Sequence, residues 1–88
     1  MHGQGNRARA DAPDLHALGA AVRESRARRG LSQEALGFRA DLHRNYVGAI
    51  ERGTINPTFK TLMQLADGLH LPLSELMEIY ERHIGEDD

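Results

Sequence analysis

The sequence predicts an all-α domain built from five short helices. In five successive segments apolar residues recur every three or four positions, which is the spacing of one helix face. Residues that cap or terminate helices separate these segments, and no segment alternates polar and apolar residues as a half-buried strand would. The chain has 88 residues and no cysteine, so it should form one domain around a small core without disulfide bonds.

The first two helices are predicted over residues 13–29 and 32–39. In the first, Leu15, Leu18 and Val22 share one face, and Gly30 follows as a terminator. Ser32 is a good N-cap for the second helix. Gly37 lies inside that short helix at a cost of about 1 kcal/mol relative to alanine, which indicates that another helix packs closely there.

Three further helices are predicted over residues 43–51, 58–68 and 73–84. Val47 and Ile50 should face inward from the third helix, and Thr58 should cap the fourth. Residues 1–12 are expected to form a flexible arm and residues 85–88 an acidic tail. Within the arm, Arg7 and Arg9 are interpreted as part of a disordered tail, the alternative being contacts in a DNA minor groove.

The charge is distributed unevenly along the chain, although the net charge is only −2. Residues 1–60 contain ten basic and six acidic residues, and residues 61–88 contain one basic and seven acidic residues. Such asymmetry indicates an oriented interaction surface, the alternative being chance segregation in a short chain. The polar N-terminus does not resemble a signal peptide and no stretch approaches the roughly 20 apolar residues of a membrane span, so we expect a cytoplasmic protein.

Two short helices joined by a tight turn over residues 32–52 are typical of a DNA-binding helix-turn-helix. Three motifs strengthen this reading: Leu31-Ser32-Gln33-Glu34, Ile50-Glu51-Arg52-Gly53 and Asn56-Pro57-Thr58. With them, residues 15–80 resemble the lambda-repressor-like (XRE/Cro-type) family, whose domain has five helices. The stretch 38–52 looks closest to restriction–modification controller-type regulators within that family. The resemblance implies a sequence-specific transcriptional regulator that inserts its third helix into the major groove of double-stranded DNA.

The resemblance also implies which residues contact DNA. Arg44 and Asn45 would face base edges, because Arg suits the paired acceptors of guanine and Asn suits adenine. Gly48 and Ala49 would lie one turn later on the same face and touch bases. The phosphate contacts would come from Gln33, His43, Tyr46, Arg52, Thr54, Asn56 and Lys60. Arg26 and Glu51 would form a structural ion pair.

The sequence departs from the family pattern at three positions. Asp41 replaces the usual turn glycine, which an aspartate tolerates with some strain. His43 stands where a stronger cap is common, and His70 replaces a common glycine. Phe38 lies at a position in the second predicted helix that is often polar in the family. We expect its side chain to pack locally against the turn.

The last predicted helix has more apolar positions than one small core needs. Leu73, Leu76 and Met77 are assigned to the core, and Ile79, Tyr80 and Ile84 to the interface of a homodimer. A dimer is expected because one recognition helix reads only a few base pairs, and two half-sites multiply specificity.

Several other function classes are disfavoured. The five histidines lack zinc-ligand spacing, so neither a metal nor a cofactor is predicted. No catalytic constellation is evident, so the protein is not expected to be an enzyme. Two alternatives remain: an antitoxin-type autorepressor, and a protein-interaction adaptor that keeps the fold without binding DNA. The DNA-facing residues Gln33, Arg44, Asn45 and Arg52 argue against the adaptor.

Overall fold

A computed structural model describes residues 13–86 of the chain. It contains α1 (Pro13–Arg28), α2 (Gln33–Ala40), α3 (Arg44–Arg52), α4 (Phe59–Gly68) and α5 (Leu73–Glu86). Over these residues there is no β-strand, and the all-α fold class is confirmed. The arm predicted over residues 1–12 and the final two residues of the predicted tail lie outside the described residues.

Side chains and left-handed residues set the helix ends. Ser32 Oγ accepts a hydrogen bond from the amide of Ala35 at 2.9 Å, and Thr58 Oγ1 accepts one from the amide of Thr61 at 3.1 Å. Both caps satisfy donors that a helix start leaves without partners. At the opposite ends, Asp41 terminates α2 at φ 60° and Gly53 terminates α3 at φ 74°.

The core lies between all five helices. α1 packs against α3 and α5, while α2 packs against α3 and α4. The largest fully buried side chains are Val22, Leu36, Val47, Ile50, Leu65, Leu69 and Leu76. α2 and α3, the two helices of the motif, therefore both pack against the same apolar core. This packing fixes their orientation relative to α1.

The structure corrects two predictions for the last helix. Ile79 was assigned to a dimer interface, but its side chain is only 9% exposed and belongs to the core of the monomer. α5 also continues through Gly85 and Glu86, which were predicted to belong to the tail. A contact of 3.2 Å between His83 Nδ1 and Glu86 Oε1, one turn apart, supports this extension.

Polar contacts of Glu24 attach α5 to α1. Its carboxylate contacts Arg82 Nη2 at 2.7 Å and His83 Nε2 at 2.8 Å, and Arg28 of its own helix at 2.7 Å. The hydrogen bonds from Arg82 and His83 hold the pKa of the Glu24 carboxyl below its usual range. These contacts fix the distal half of α5 along α1.

Candidate nucleic-acid interface

The turn between α2 and α3 is built on the backbone of Gly37. The amide of Leu42 donates to the Gly37 carbonyl at 2.8 Å, and Asp41 adopts the left-handed conformation between them. A Cβ added to Gly37 would lie 2.5 Å from the Leu42 carbonyl oxygen. Gly37 therefore makes room for the turn itself and for the start of α3, which refines the expectation of a close helix at this position.

A buried carboxylate anchors the other end of α3. Glu51 is only 3% exposed and accepts hydrogen bonds from Arg26 Nε at 2.6 Å and Arg26 Nη2 at 3.0 Å. These bonds raise the pKa of the Arg26 guanidinium above its usual value. Gln33 Nε2 donates to the same carboxylate at 3.0 Å. One side chain of α3 thus joins α1 and the first residue of α2.

α1 also contacts the backbone at the end of α3. Arg23 Nη2 donates to the Glu51 carbonyl at 3.0 Å. A Cβ added to Gly19 would overlap the carbonyl oxygens of Ile50 and Glu51, so the two helices touch backbone to backbone. Sequence reasoning missed Arg23, although its spacing of three from Arg26 places both on one face of α1 and could have indicated it.

The amino end of α3 is open to solvent. His43 Nδ1 accepts a hydrogen bond from the amide of Asn45 at 3.0 Å and so caps the helix. Arg44 and Asn45 are both exposed. Arg44 Nη1 lies 3.6 Å from Glu34 Oε2, with both side chains more than half exposed. Such a surface pair contributes little stability, so Arg44 can leave it for another partner.

Gly48 does not lie on this open edge, and the prediction that it touches bases requires correction. It is buried, and the space beside it is filled by the ends of Gln33 and Arg52. Ala49 is partly exposed. The exposed edge of the helix is therefore formed by Arg44 and Asn45, with Ala49 behind them.

The residues predicted to contact phosphates occupy a range of environments. Tyr46 is half-buried, with its ring packed against the core. Thr54 is exposed and its hydroxyl donates to the Ala49 carbonyl at 3.1 Å, which ties the loop to α3. Arg52, Asn56 and Lys60 are also exposed. These side chains are available to a ligand, whereas the Gln33 amide already has one protein partner.

The structure corrects the expectation for Phe38. Instead of packing against the turn, this side chain is 90% exposed. It lies four residues after Glu34, on the outer side of α2, and lines an open groove together with Leu42, His43 and Arg44. The inner side of α2 is occupied by Leu36 and Ala40, so Phe38 on the outer side does not join the core.

Residues 13–86 contain neither a membrane-spanning helix nor a metal-binding cluster. None of the helices in this part of the chain is both long enough and apolar enough to span a bilayer. Among the same residues, no group of three or more His, Asp or Glu side chains is placed to hold a metal ion.

Comparison with known proteins assigns this geometry to a family. The family model described as "Helix-turn-helix" matches residues 22–76. The control protein C.BamHI of Bacillus amyloliquefaciens is 36% identical over 62 residues, covering 69% of this chain and 76% of the relative. The control protein C.SmaI of Serratia marcescens is 41% identical over 56 residues, covering 64% of this chain and 67% of the relative.

Solved structures lead to the same assignment. The restriction–modification controller protein C.AhdI from Aeromonas hydrophila superposes with a TM-score of 0.72 at 42% identity, covering 74% of this chain and 98% of its own. The controller protein C.Esp1396I superposes with a TM-score of 0.81 at 26% identity, covering 86% and 99%. The chain therefore belongs to the helix-turn-helix family, as an XRE/Cro-type DNA-binding transcriptional regulator homologous to restriction–modification controller proteins.

Proposed function

We propose that this protein is a cytoplasmic regulator that reads specific DNA by inserting α3 into the major groove, and that it controls genes of a restriction–modification system. The observation that carries the proposal is the exposed pair Arg44 and Asn45 at the amino end of α3, whose other end is anchored through Glu51. A guanidinium and a carboxamide offer bidentate hydrogen bonds to guanine and adenine. The controller proteins among its relatives support the choice of regulated genes.

Phosphate contacts would fix the position of α3 in the groove. The side chains proposed for this role lie on α3 itself and in the segments before and after it, and they are Gln33, His43, Tyr46, Arg52, Thr54, Asn56 and Lys60. Such contacts carry no base information but supply most of the salt-dependent affinity.

Selection of bound duplexes from random DNA, followed by sequencing, tests the proposal. Arg44→Ala should weaken binding to the selected duplex by about 1–3 kcal/mol and relax the preference at one base. Arg39→Ala removes an equal charge from an exposed site on α2, beside His70, and should change neither property markedly. Equal weakening on all sequences by Arg44→Ala would make Arg44 a phosphate contact, and failure to enrich any sequence would refute specific recognition.

We further propose that the protein binds a two-fold operator as a homodimer through α5. Of the predicted interface residues, Tyr80 and Ile84 are partly exposed and remain available, unlike Ile79. Tyr80 borders an apolar groove of about 160 Å³, lined also by Leu15, Leu18, Leu62 and Met77. Burial and the nearby carboxylates of Asp14 and Glu81 raise the pKa of the Tyr80 phenol.

Two further apolar residues, both on α4, are exposed. Phe59 is 66% exposed and Met63 is 49% exposed, and they lie three residues before and one after Leu62. Large exposed apolar side chains that neighbour Leu62 in the chain support a second copy that covers this groove.

Sedimentation equilibrium without DNA tests the dimer. Tyr80→Lys should shift the protein to monomers, because a charge would be buried in the dimer interface. Phe38→Lys places the same charge at another exposed aromatic, on α2, and should leave the dimer intact. The proposed dimer interface would be contradicted if the wild-type protein were monomeric at tens of micromolar. It would also be contradicted if Phe38→Lys, and not Tyr80→Lys, abolished the dimer.

The exposed Phe38 favours one second candidate, an adaptor that binds a protein partner on the outer side of α2. Its discriminating property is the salt dependence of DNA binding. A regulator that contacts several phosphates should lose affinity steeply between low and moderate salt. Absent or salt-insensitive DNA binding would favour the adaptor.

A further inference from the structure

Gly48 lies against the side-chain ends of Gln33 and Arg52. This contact is required neither for recognising bases nor for forming the helix. A Cβ added there would lie 3.2 Å from Arg52 Nη1 and 3.3 Å from Gln33 Oε1. Both distances are shorter than ordinary contacts of a Cβ, so both side-chain ends would have to shift by a few tenths of an ångström. The missing side chain thus forms a slot in which the ends of Gln33 and Arg52 lie together.

The Gln33 carboxamide is also fixed in orientation. Its Nε2 lies 3.7 Å from the same Cβ position and donates to Glu51 Oε1 at 3.0 Å. Two hydrogen bonds from Arg26 hold Glu51 in place. The Gln33 amide is therefore bonded to an acceptor that does not move. One N–H of the amide is used in this bond, and the second N–H remains for a ligand.

We propose that Gly48 and Glu51 are positioning residues for the DNA backbone, which hold Gln33 and Arg52 side by side as one preorganised phosphate clamp. The inference rests on the proposed function, since it assumes that these two side chains contact phosphate. Its physical basis is that side chains ordered before binding lose less conformational entropy on binding. Glu51 and Gly48 touch no DNA themselves.

Gly48→Ala is the informative variant, because Glu51 substitutions also remove the ion pair and endanger folding. The added methyl meets only the ends of two flexible side chains, and alanine favours a helix over glycine. The thermal midpoint should therefore equal or exceed that of the wild type, while DNA binding weakens. Gly85→Ala, a helical glycine with nothing within 4 Å of the added Cβ, is the matched control and should bind DNA as the wild type does.

Fluorescence anisotropy measures the effect with two labelled duplexes, one selected by the wild-type protein and one scrambled. Gly48→Ala should weaken binding to both by a similar factor of up to about tenfold, the limit being the loss of one charge-assisted hydrogen bond. The slope of log affinity against log salt should fall by up to about 1 if Arg52 leaves its phosphate. Loss on the selected duplex alone would make Gly48 a base contact and overturn the inference.

A double-mutant cycle with Gln33→Ala completes the test. If Gly48 acts through Gln33, the double variant should lose less affinity than the product of the two single losses. Independent, multiplicative losses with both Gln33→Ala and Arg52→Ala, or wild-type binding by Gly48→Ala, would overturn the inference. Wild-type binding by both Gln33→Ala and Arg52→Ala would instead show that the proposed phosphate contacts are wrong, and the clamp with them.

Discussion

The two ends of α3 differ in how they are held. At the carboxyl end, Glu51 is buried, receives hydrogen bonds from α1 and α2, and lies where α1 touches the helix backbone. At the amino end, the side-chain contacts are the His43 cap and the weak surface pair of Arg44 with Glu34, and Arg44 and Asn45 are exposed. A helix fixed firmly at one end, with only weak side-chain contacts at the other, presents Arg44 and Asn45 at a defined angle and leaves them able to bind a ligand.

Loss of Arg26 should affect the anchored end most severely. Arg26→Ala leaves the Glu51 carboxylate buried without its main partner, which costs about 3–5 kcal/mol of unfolding free energy. Chemical denaturation monitored by circular dichroism measures it. Arg28→Ala is the control, because Arg28 is largely exposed and pairs with Glu24 at the surface, where about 1 kcal/mol or less is expected. Equal losses for the two variants would mean that the buried pair does not anchor α3.

A smaller loss is expected where α1 and α3 touch. Gly19→Ala places a methyl group against two backbone carbonyl oxygens, which cannot move aside as a side-chain end can. Overpacking of this kind costs about 1–3 kcal/mol, although alanine itself favours the helix. Gly85→Ala makes the same substitution in open space and should be neutral or slightly stabilising. Thermal unfolding of both variants would show a lower midpoint for Gly19→Ala alone, and no difference between them would contradict the close contact.

The contrast between the two ends also shows what the sequence could predict. Helical periodicity and the caps Ser32 and Thr58 depend on neighbours in the chain, so the five helices could be located from them. The pairing of Arg26 with Glu51 joins residues 25 positions apart and came from family resemblance. Local spacing alone does not encode such a contact.

Three-dimensional contacts explain where the predictions were wrong. Gly48 has the right spacing to share a face with Arg44, but side chains from two other positions close over it. The spacing of Ile79 on α5 suggested that it belongs to the outer face of the helix. Because α5 packs against α1, the side chain instead lies in the core. In both cases exposure is decided by neighbours that include residues of another helix: Gln33 of α2 for Gly48, and α1 for Ile79.

The smallest predicted effect concerns His43, the N-cap of α3. Substitutions there should change stability and DNA binding in different ways. Asp and Asn are better N-caps than most residues, so His43→Asp and His43→Asn should each stabilise the fold by up to about 1 kcal/mol. Only the aspartate would add negative charge where a phosphate contact is proposed. Denaturation and anisotropy titration should therefore show two stabilised variants, of which His43→Asp alone binds DNA more weakly. Unimpaired binding by His43→Asp would place the amino end of α3 away from the phosphates, whereas reduced binding by both variants would indicate that the imidazole itself makes the contact.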